Sequence, residues 1–121
     1  MAGKKFDNKK PDHTLVCKAF IDGVADVMGY GAEKYGRHNY LEGMDHSRLL
    51  AACSRHLTAY IDGQDTDPES GFCHLQHAAA NLNMLLNFKD KGIGNDNRYL
   101  KDTTKVIKPD SDKINSLSKG G

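Results

Sequence analysis

No run of apolar residues in this 121-residue sequence approaches the roughly 18 needed to cross a bilayer, and no secretory apolar stretch follows Lys4 and Lys5. The expectation is a soluble, cytoplasmic protein. Charge of one sign is lacking too: 17 basic residues face 16 acidic ones, a formal net charge of +1. That balance excludes the uniformly basic footprint of a nucleic-acid coat. Cysteine is scarce and odd in number. Cys17, Cys53 and Cys73 are too widely spaced for a disulfide framework or a Cys-x-x-Cys zinc site, and read as small buried thiols in a reducing compartment. Only 38% of residues are hydrophobic and the mean hydropathy is −0.64, so the core is small and the ends polar. Period-two alternation is missing over any useful length, which removes the signal for strands.

What is present fits one domain, which at this length buries roughly two-thirds of the surface of its unfolded chain. Residues 1–12 carry four lysines against Asp7 and Asp12 and form a polar arm. Residues 13–88 carry five basic and nine acidic groups and most of the apolar side chains, so the core domain is placed there. Residues 89–121 carry eight basic and five acidic groups in a Lys-, Asp-, Ser- and Gly-rich tail that cannot bury enough apolar area to order itself alone. Tyr99, Leu100, Val106 and Ile107 are its candidates for docking on the domain or a neighbouring subunit. No internal repeat is found.

Three segments have helical period, and the fold class is all-α. The first runs from Asp12 or Thr14, either a possible cap, to Lys34, with Leu15, Ala19, Val24 and Met28 beside Val16, Phe20 and Val27. Gly23, Gly29 and Gly31 weaken it by about 1 kcal/mol each against Ala, or mark a close approach. The second runs from about Asp45 to Ile61, with Asp45 or Ser47 as cap. Its apolar stripe is Leu50, Cys53, Leu57, Tyr60 and Ile61, and Gly63 is its stop. The third runs from about Ser70 to Phe88, with Leu75, Ala79, Leu82 and Leu86 on one stripe and Ala78, Leu85 and Phe88 nearby. Three amphipathic helices do not readily close a bundle alone, so a homo-oligomer, a dimer or tetramer, is expected.

Four groups of residues could carry chemistry. Tyr30 to Tyr40 hold three tyrosines, Glu33, Lys34, Arg37, His38 and Asn39. Tyrosines stack on bases and the cations pair with phosphates, although a helix ending at Gly36 would use the same residues. Arg48 and Arg55, seven apart with Ala52 between and His56 alongside, make either a polyphosphate clamp or a solvated face. His74, His77, Ala78 and Asn81 share a helix face, where His-x-x-His could hold a metal with Asn81 adding an oxygen, or all three polar groups could be hydrogen-bonded structure. Asp62, Asp65, Asp67 and Glu69 crowd one loop without the EF-hand order. One or two of them would suffice for Mg²⁺, and the rest read as solvated.

Taken in order, Asp7 to Pro11, Tyr30-Gly-Ala-Glu-Lys-Tyr-Gly, His38-Asn39-Tyr40, Ser47-Arg48-Leu49, Arg55-His56-Leu57, Asp65-x-Asp67-Pro68-Glu69-Ser70-Gly71 and His74-Leu-x-His77-Ala-Ala-x-Asn81 resemble the phage dATP/dGTP diphosphohydrolase (MazZ-like) N-terminal family, related to the MazG-like all-α pyrophosphatases. The resemblance covers about residues 5–88. It implies a helical, oligomeric enzyme of the host cytoplasm that uses Mg²⁺ or Mn²⁺ to cut purine deoxynucleoside triphosphates between the α- and β-phosphates. Metal ions held by carboxylates would neutralise the charge developing on phosphorus.

On that reading Glu33 is the catalytic carboxylate. Glu33, His74 and His77, with Asp67 or Glu69, hold the metal. Lys34, Arg48 and Arg55 clamp phosphates, while Tyr35, His38, Asn39, His56 and Asn81 surround the base or sugar. One departure stands out. Glu33, Glu42 and Glu69 are the only glutamates, so the Glu-x-x-Glu of the MazG group is missing and Arg55-His56 and His74-x-x-His77 stand in its place. The alternative is therefore an oligomer that binds a nucleotide without cutting it.

Overall fold

A computed structural model describes residues 9–99. Residues 1–8 of the arm and residues 100–121 of the tail, among them Asp7, Leu100, Val106 and Ile107, lie outside the described residues. Val16–Leu100 form one compact unit, and the described residues before it, 9–15, belong to another and are taken by themselves. There, Asp12 heads a single 3-10 turn, His13–Leu15. Its carboxylate accepts from Thr14 N at 3.1 Å and from the Thr14 hydroxyl, which together hold its carboxyl below the usual range.

The Val16–Leu100 unit holds three helices: α1 (Lys18–Tyr35), α2 (His46–Ile61) and α3 (His74–Lys91), with a 3-10 turn at Asn39–Glu42. The all-α expectation is met, with no strand longer than an isolated bridge among the described residues. Neither Asp12 nor Thr14 caps α1, which starts behind Cys17 without a side-chain cap. α3 starts later than its periodicity implied. Residues 62–73 are needed to bring the chain back, and Cys73 with Gln76 closes a capping box at its start. α3 is the helix against which both others pack.

The core is thin. Among the described residues, Leu49, Cys53, Ala78, Ala80 and Phe88 are the buried apolar ones, and Phe88 is the one large side chain with no exposure. Tyr40 and His46 lie over its ring at centroid distances of 6.3 and 5.9 Å. The leucine stripes expected to fill the core lie largely outside: Leu50, Leu57, Leu75, Leu82 and Leu86 are all exposed, as is Ile61. The inward face of α3 is instead His74, Ala78, Asn81 and Phe88, and that of α2 is Leu49 with Cys53. Small and polar residues let these helices approach closely, and this seam lies out of phase with the leucines. The cysteines also divide, with Cys53 buried, Cys73 half-buried and Cys17 exposed, so the expectation of three buried thiols is corrected. Burial raises the Cys53 thiol above its ordinary pKa.

After α3 the chain folds back over the start of α2. His46 N donates to Asn95 O at 2.9 Å, Ser47 N to the Asn97 side chain at 3.1 Å, and the Asn95 amide to Asp45 at 3.2 Å. The close pass depends on glycine, since a Cβ on Gly94 would sit 2.5 Å from Met44 O, and its φ of 77° suits glycine. Tyr99, at the end of this stretch, is exposed.

Gly23 is the buried glycine of α1. A Cβ there would lie 3.0 Å from Cγ of Gln76, whose amide reaches back to Gly23 O and Asp26. Gly29 has open space around it. Gly29→Ala is therefore expected to raise unfolding stability by about 1 kcal/mol, while Gly23→Ala gains nothing because Gln76 is displaced from its bonds. Urea unfolding of both variants checks this, and equal gains would contradict the packing described.

Candidate functional site

Two features meet along the C-terminal half of α1. The first is a cluster of imidazoles and a carboxylate built by the loop after α2. Gly63, at φ 97°, ends that helix, with its N–H donating to Tyr60 O at 3.0 Å. The loop then closes on itself: Asp67 N donates to Phe72 O, Gly71 N to Asp67 O and His74 N to Asp65 O, each at 2.8 Å. Asp67 is the acidic residue that turns inward, whereas Asp62, Asp65 and Glu69 are exposed. Its carboxylate accepts from Glu69 N and from the Ser70 hydroxyl, each at 3.2 Å.

Around Asp67 stand His56 of α2 and His77 of α3, and one ligand atom from each of the three residues lies within 4.8 Å of the others. His77 Nε2 is 3.4 Å from Asp67 Oδ2 and 2.6 Å from Ser70 Oγ. The His56 and His77 rings stack at 4.4 Å, only 7° from parallel. His74 is buried behind them with both nitrogens engaged, Nε2 to Gln64 Oε1 at 2.7 Å and Nδ1 to His56 Nδ1 at 2.8 Å. This is not a nucleophilic triad. Ser70 and Asp67 both approach the same nitrogen of His77, and Ser70 Oγ also accepts from Phe72 N at 3.2 Å, which ties it into the loop.

Burial pushes both His56 and His77 below the ordinary imidazole value of 6.5. The neighbouring imidazoles reinforce this for His56, while Asp67 opposes it for both. For Asp67 burial alone would raise the carboxyl, but the bonds from Glu69 N and Ser70, with the two imidazoles, bring it below 3.8. At neutral pH the cluster is thus two neutral imidazoles and a carboxylate.

The second feature is a cavity of about 450 Å³ between the end of α1, the segment 36–44, the start of α2 and Met84 of α3. Val27, Met28, Ala32, Met44 and Met84 give it apolar walls, and Tyr35, Arg37, Asn39, Tyr40, Glu42 and Arg48 give it polar ones. Its size lies within the range of small-molecule sites. Lys34, on the other side of the same turn, is 3.4 Å from Glu69, and Tyr30 meets Phe72 edge-on at 5.9 Å. The turns of α1 that line the cavity therefore also touch the loop that carries Asp67.

The sequence-derived residues are distributed as follows. Tyr35, Asn39 and Arg48 line the cavity together with Arg37. His56, expected near the nucleotide, stands in the imidazole cluster with His77 and Asp67. His74, expected as a metal ligand, has both nitrogens in hydrogen bonds. Glu33, His38 and Arg55 are exposed and line no part of the cavity, and Glu69 pairs with Lys34. Asn81 is buried and donates to His77 O at 3.0 Å within its own helix. The contributions of Gln64 and Ser70 were not foreseen. Tyr40, one of the three tyrosines expected to stack on a base, lines the cavity too, whereas Glu42 and Met84 were missed because folding rather than spacing brings them there.

Residues 1–98 match the family described as dATP/dGTP diphosphohydrolase, N-terminal. The chain belongs to this family. A curated relative, the dATP/dGTP diphosphohydrolase of Salmonella phage PMBT28, is 40% identical over 82 residues, which make up 68% of this chain and 28% of that protein. The chain thus spans little more than a quarter of that relative's length. No solved structure matches the chain. Among the described residues no helix is long and apolar enough to cross a membrane.

The depressed histidines make stability depend on pH with a definite sign. Below about 6.5 the unfolded chain takes up protons at His56 and His77 that the folded chain does not. Their contribution is whole above that value and is lost as pH falls through the lower folded values. The loss tied to Asp67 comes lower still, beneath 3.8. In chelator-containing buffer the melting temperature is expected to drop between pH 7.5 and 5.5, and His77→Gln to flatten the slope. A melting temperature that holds or rises on acidification would contradict it.

Proposed function

We propose that the chain forms the nucleotide-holding part of a metal-dependent phosphohydrolase acting on purine deoxynucleoside triphosphates, probing dATP and dGTP as substrates, in a phage-encoded protein. The observation that carries this reading is the cavity at the end of α1, with Tyr35, Arg37, Asn39 and Arg48 in its wall, in a chain of this family. Its methionines and Val27 suit the flat apolar faces of a purine, and a tyrosine ring can stack on it. Two guanidinium groups in one wall suit a triphosphate, since each can offer paired N–H donors to phosphate oxygens.

Mg²⁺ or Mn²⁺ would arrive on the triphosphate, which supplies much of its coordination, so one or two carboxylates suffice. Glu42 is the carboxylate in the cavity wall and would hold the ion, whereas Glu33 is exposed outside that wall. The charge of the ion would stabilise the phosphates as cleavage between the α- and β-phosphates releases pyrophosphate. Arg37 and Arg48 would orient the chain of phosphates, and Asn39 the sugar or base. The exposed leucines of α2 and α3 would be covered by a second copy of the chain, giving a homo-oligomer measurable by light scattering.

A second reading is favoured by the carboxylate count. With Glu42 alone in the wall and no Glu-x-x-Glu in the chain, the domain would hold the nucleotide without cutting it. Incubation with each dNTP and NTP, with and without Mg²⁺ or Mn²⁺, separates the two. Monophosphate plus pyrophosphate from dATP or dGTP is the expected product, and bound but intact nucleotide would favour the second reading. In either case Arg48→Ala should weaken nucleotide binding about 10- to 100-fold, the loss of a charge-assisted hydrogen bond. Unchanged affinity in that variant would remove the cavity as the site.

A further inference from the structure

We propose that His56, Asp67 and His77 bind a first-row transition-metal ion, of the Mn²⁺, Fe²⁺, Co²⁺ or Zn²⁺ class, in preference to Mg²⁺. The nucleotide reading above places its own ion on the phosphates beside the cavity, so this site stands or falls independently of it.

The three side chains come from α2, the loop and α3, and their ligand atoms gather within 4.8 Å. His77 Nε2 and Asp67 Oδ2 are 3.4 Å apart. Two ligands bonded at about 2.1 Å to one tetrahedral ion sit roughly that far from each other. The set is two imidazole nitrogens and one carboxylate oxygen. Imidazole suits the later divalent ions, whereas Mg²⁺ demands oxygen ligands. The site is sheltered but reachable, with the His77 and Asp67 side chains 12% and 18% exposed.

The residues behind the cluster set which nitrogen of His56 is free. Gln64 offers a carbonyl oxygen to His74 Nε2, so that nitrogen carries the proton. The two Nδ1 atoms are 2.8 Å apart, so one must accept; His74 Nδ1 takes that part and His56 Nδ1 donates to it. Nε2 of His56 is left with its lone pair. Pinning one nitrogen of an imidazole so that the other can ligate is the usual work of the groups behind a metal ligand. His74 and Gln64 are therefore positioning residues. Because the Ser70 hydroxyl gives its proton to Asp67, His77 Nε2 donates to Ser70 Oγ in this state, and binding exchanges that proton and that bond for the ion.

The test uses untagged full-length protein, stripped with chelator and free of nucleotide, titrated calorimetrically with Mn²⁺, Co²⁺, Zn²⁺ and Mg²⁺. One transition ion per chain is expected, with Mg²⁺ at least about 100-fold weaker, and Co²⁺ should give a visible absorption band of nitrogen-ligated cobalt. Asp67→Asn and His77→Gln should each weaken binding by about tenfold or more, and Gln64→Ala by about 10- to 100-fold. Gln64→Ala leaves the buried Nε2 of His74 unpaired and should lower the melting temperature, so its affinity is read where circular dichroism shows the fold intact. Gln64→Glu, which keeps the acceptor, should restore binding. Absence of a bound transition ion in the wild type, Mg²⁺ binding of equal strength, or affinity unchanged in Asp67→Asn and His77→Gln would overturn the proposal. The wild-type titration and the cobalt spectrum decide it even if a histidine variant fails to fold.

Discussion

A buried imidazole with two polar nitrogens is costly unless both are paired, and His74 is buried to 5% exposure inside a thin core. Its needs are met by Gln64 on one side and His56 on the other. Those two bonds tie the loop, the later turns of α2 and the first turn of α3 into one unit. The inward turn of Asp67, the stacking of His56 on His77 and the place of Ser70 all follow from holding that loop against those helices. Remove the pairing of His74 and the helices keep their propensity, but nothing fixes the geometry of the cluster between them.

The cavity depends on the same helix by another route. Phe88 fills what large-residue core there is, and Tyr40 is packed against it while also lining the cavity. The short 3-10 turn Asn39–Glu42 is thereby anchored through one aromatic contact, and it carries Asn39 and Glu42 with it. The segment 93–98, pinned to the start of α2, steadies the same end, where Arg48 begins its own contribution. α3 thus bears on both features, through His74 and His77 at one end and Met84 and Phe88 near the other.

Much of this was legible from residue order. Three helices, the Gly63 stop and the crowding of polar and aromatic side chains between Tyr30 and Tyr40 follow from periodicity and side-chain type. What could not be seen has physical reasons. The phase of the buried seam was hidden because leucines dominate any periodicity count, while the seam is made by Ala78, Cys53 and two polar residues whose hydrogen bonds excuse their burial. His56 was grouped with Arg55 by adjacency, although successive residues on a helix point about 100° apart and the two meet different surroundings. The glycines of α1 left two readings open, a weakened helix or a close approach, and only folding shows that Gly23 is the one where α3 comes close. The return of Asn95 and Asn97 to α2 spans some fifty residues and leaves no local trace.

The central claim is that the cavity at the end of α1 receives the nucleotide, and a crystal structure with a non-hydrolysable dGTP analogue and Mn²⁺ tests it most directly. The account predicts the base among Val27, Met28 and Tyr35 with the phosphates at Arg37 and Arg48. An analogue seated anywhere else, or a cavity empty at saturating nucleotide, would contradict it.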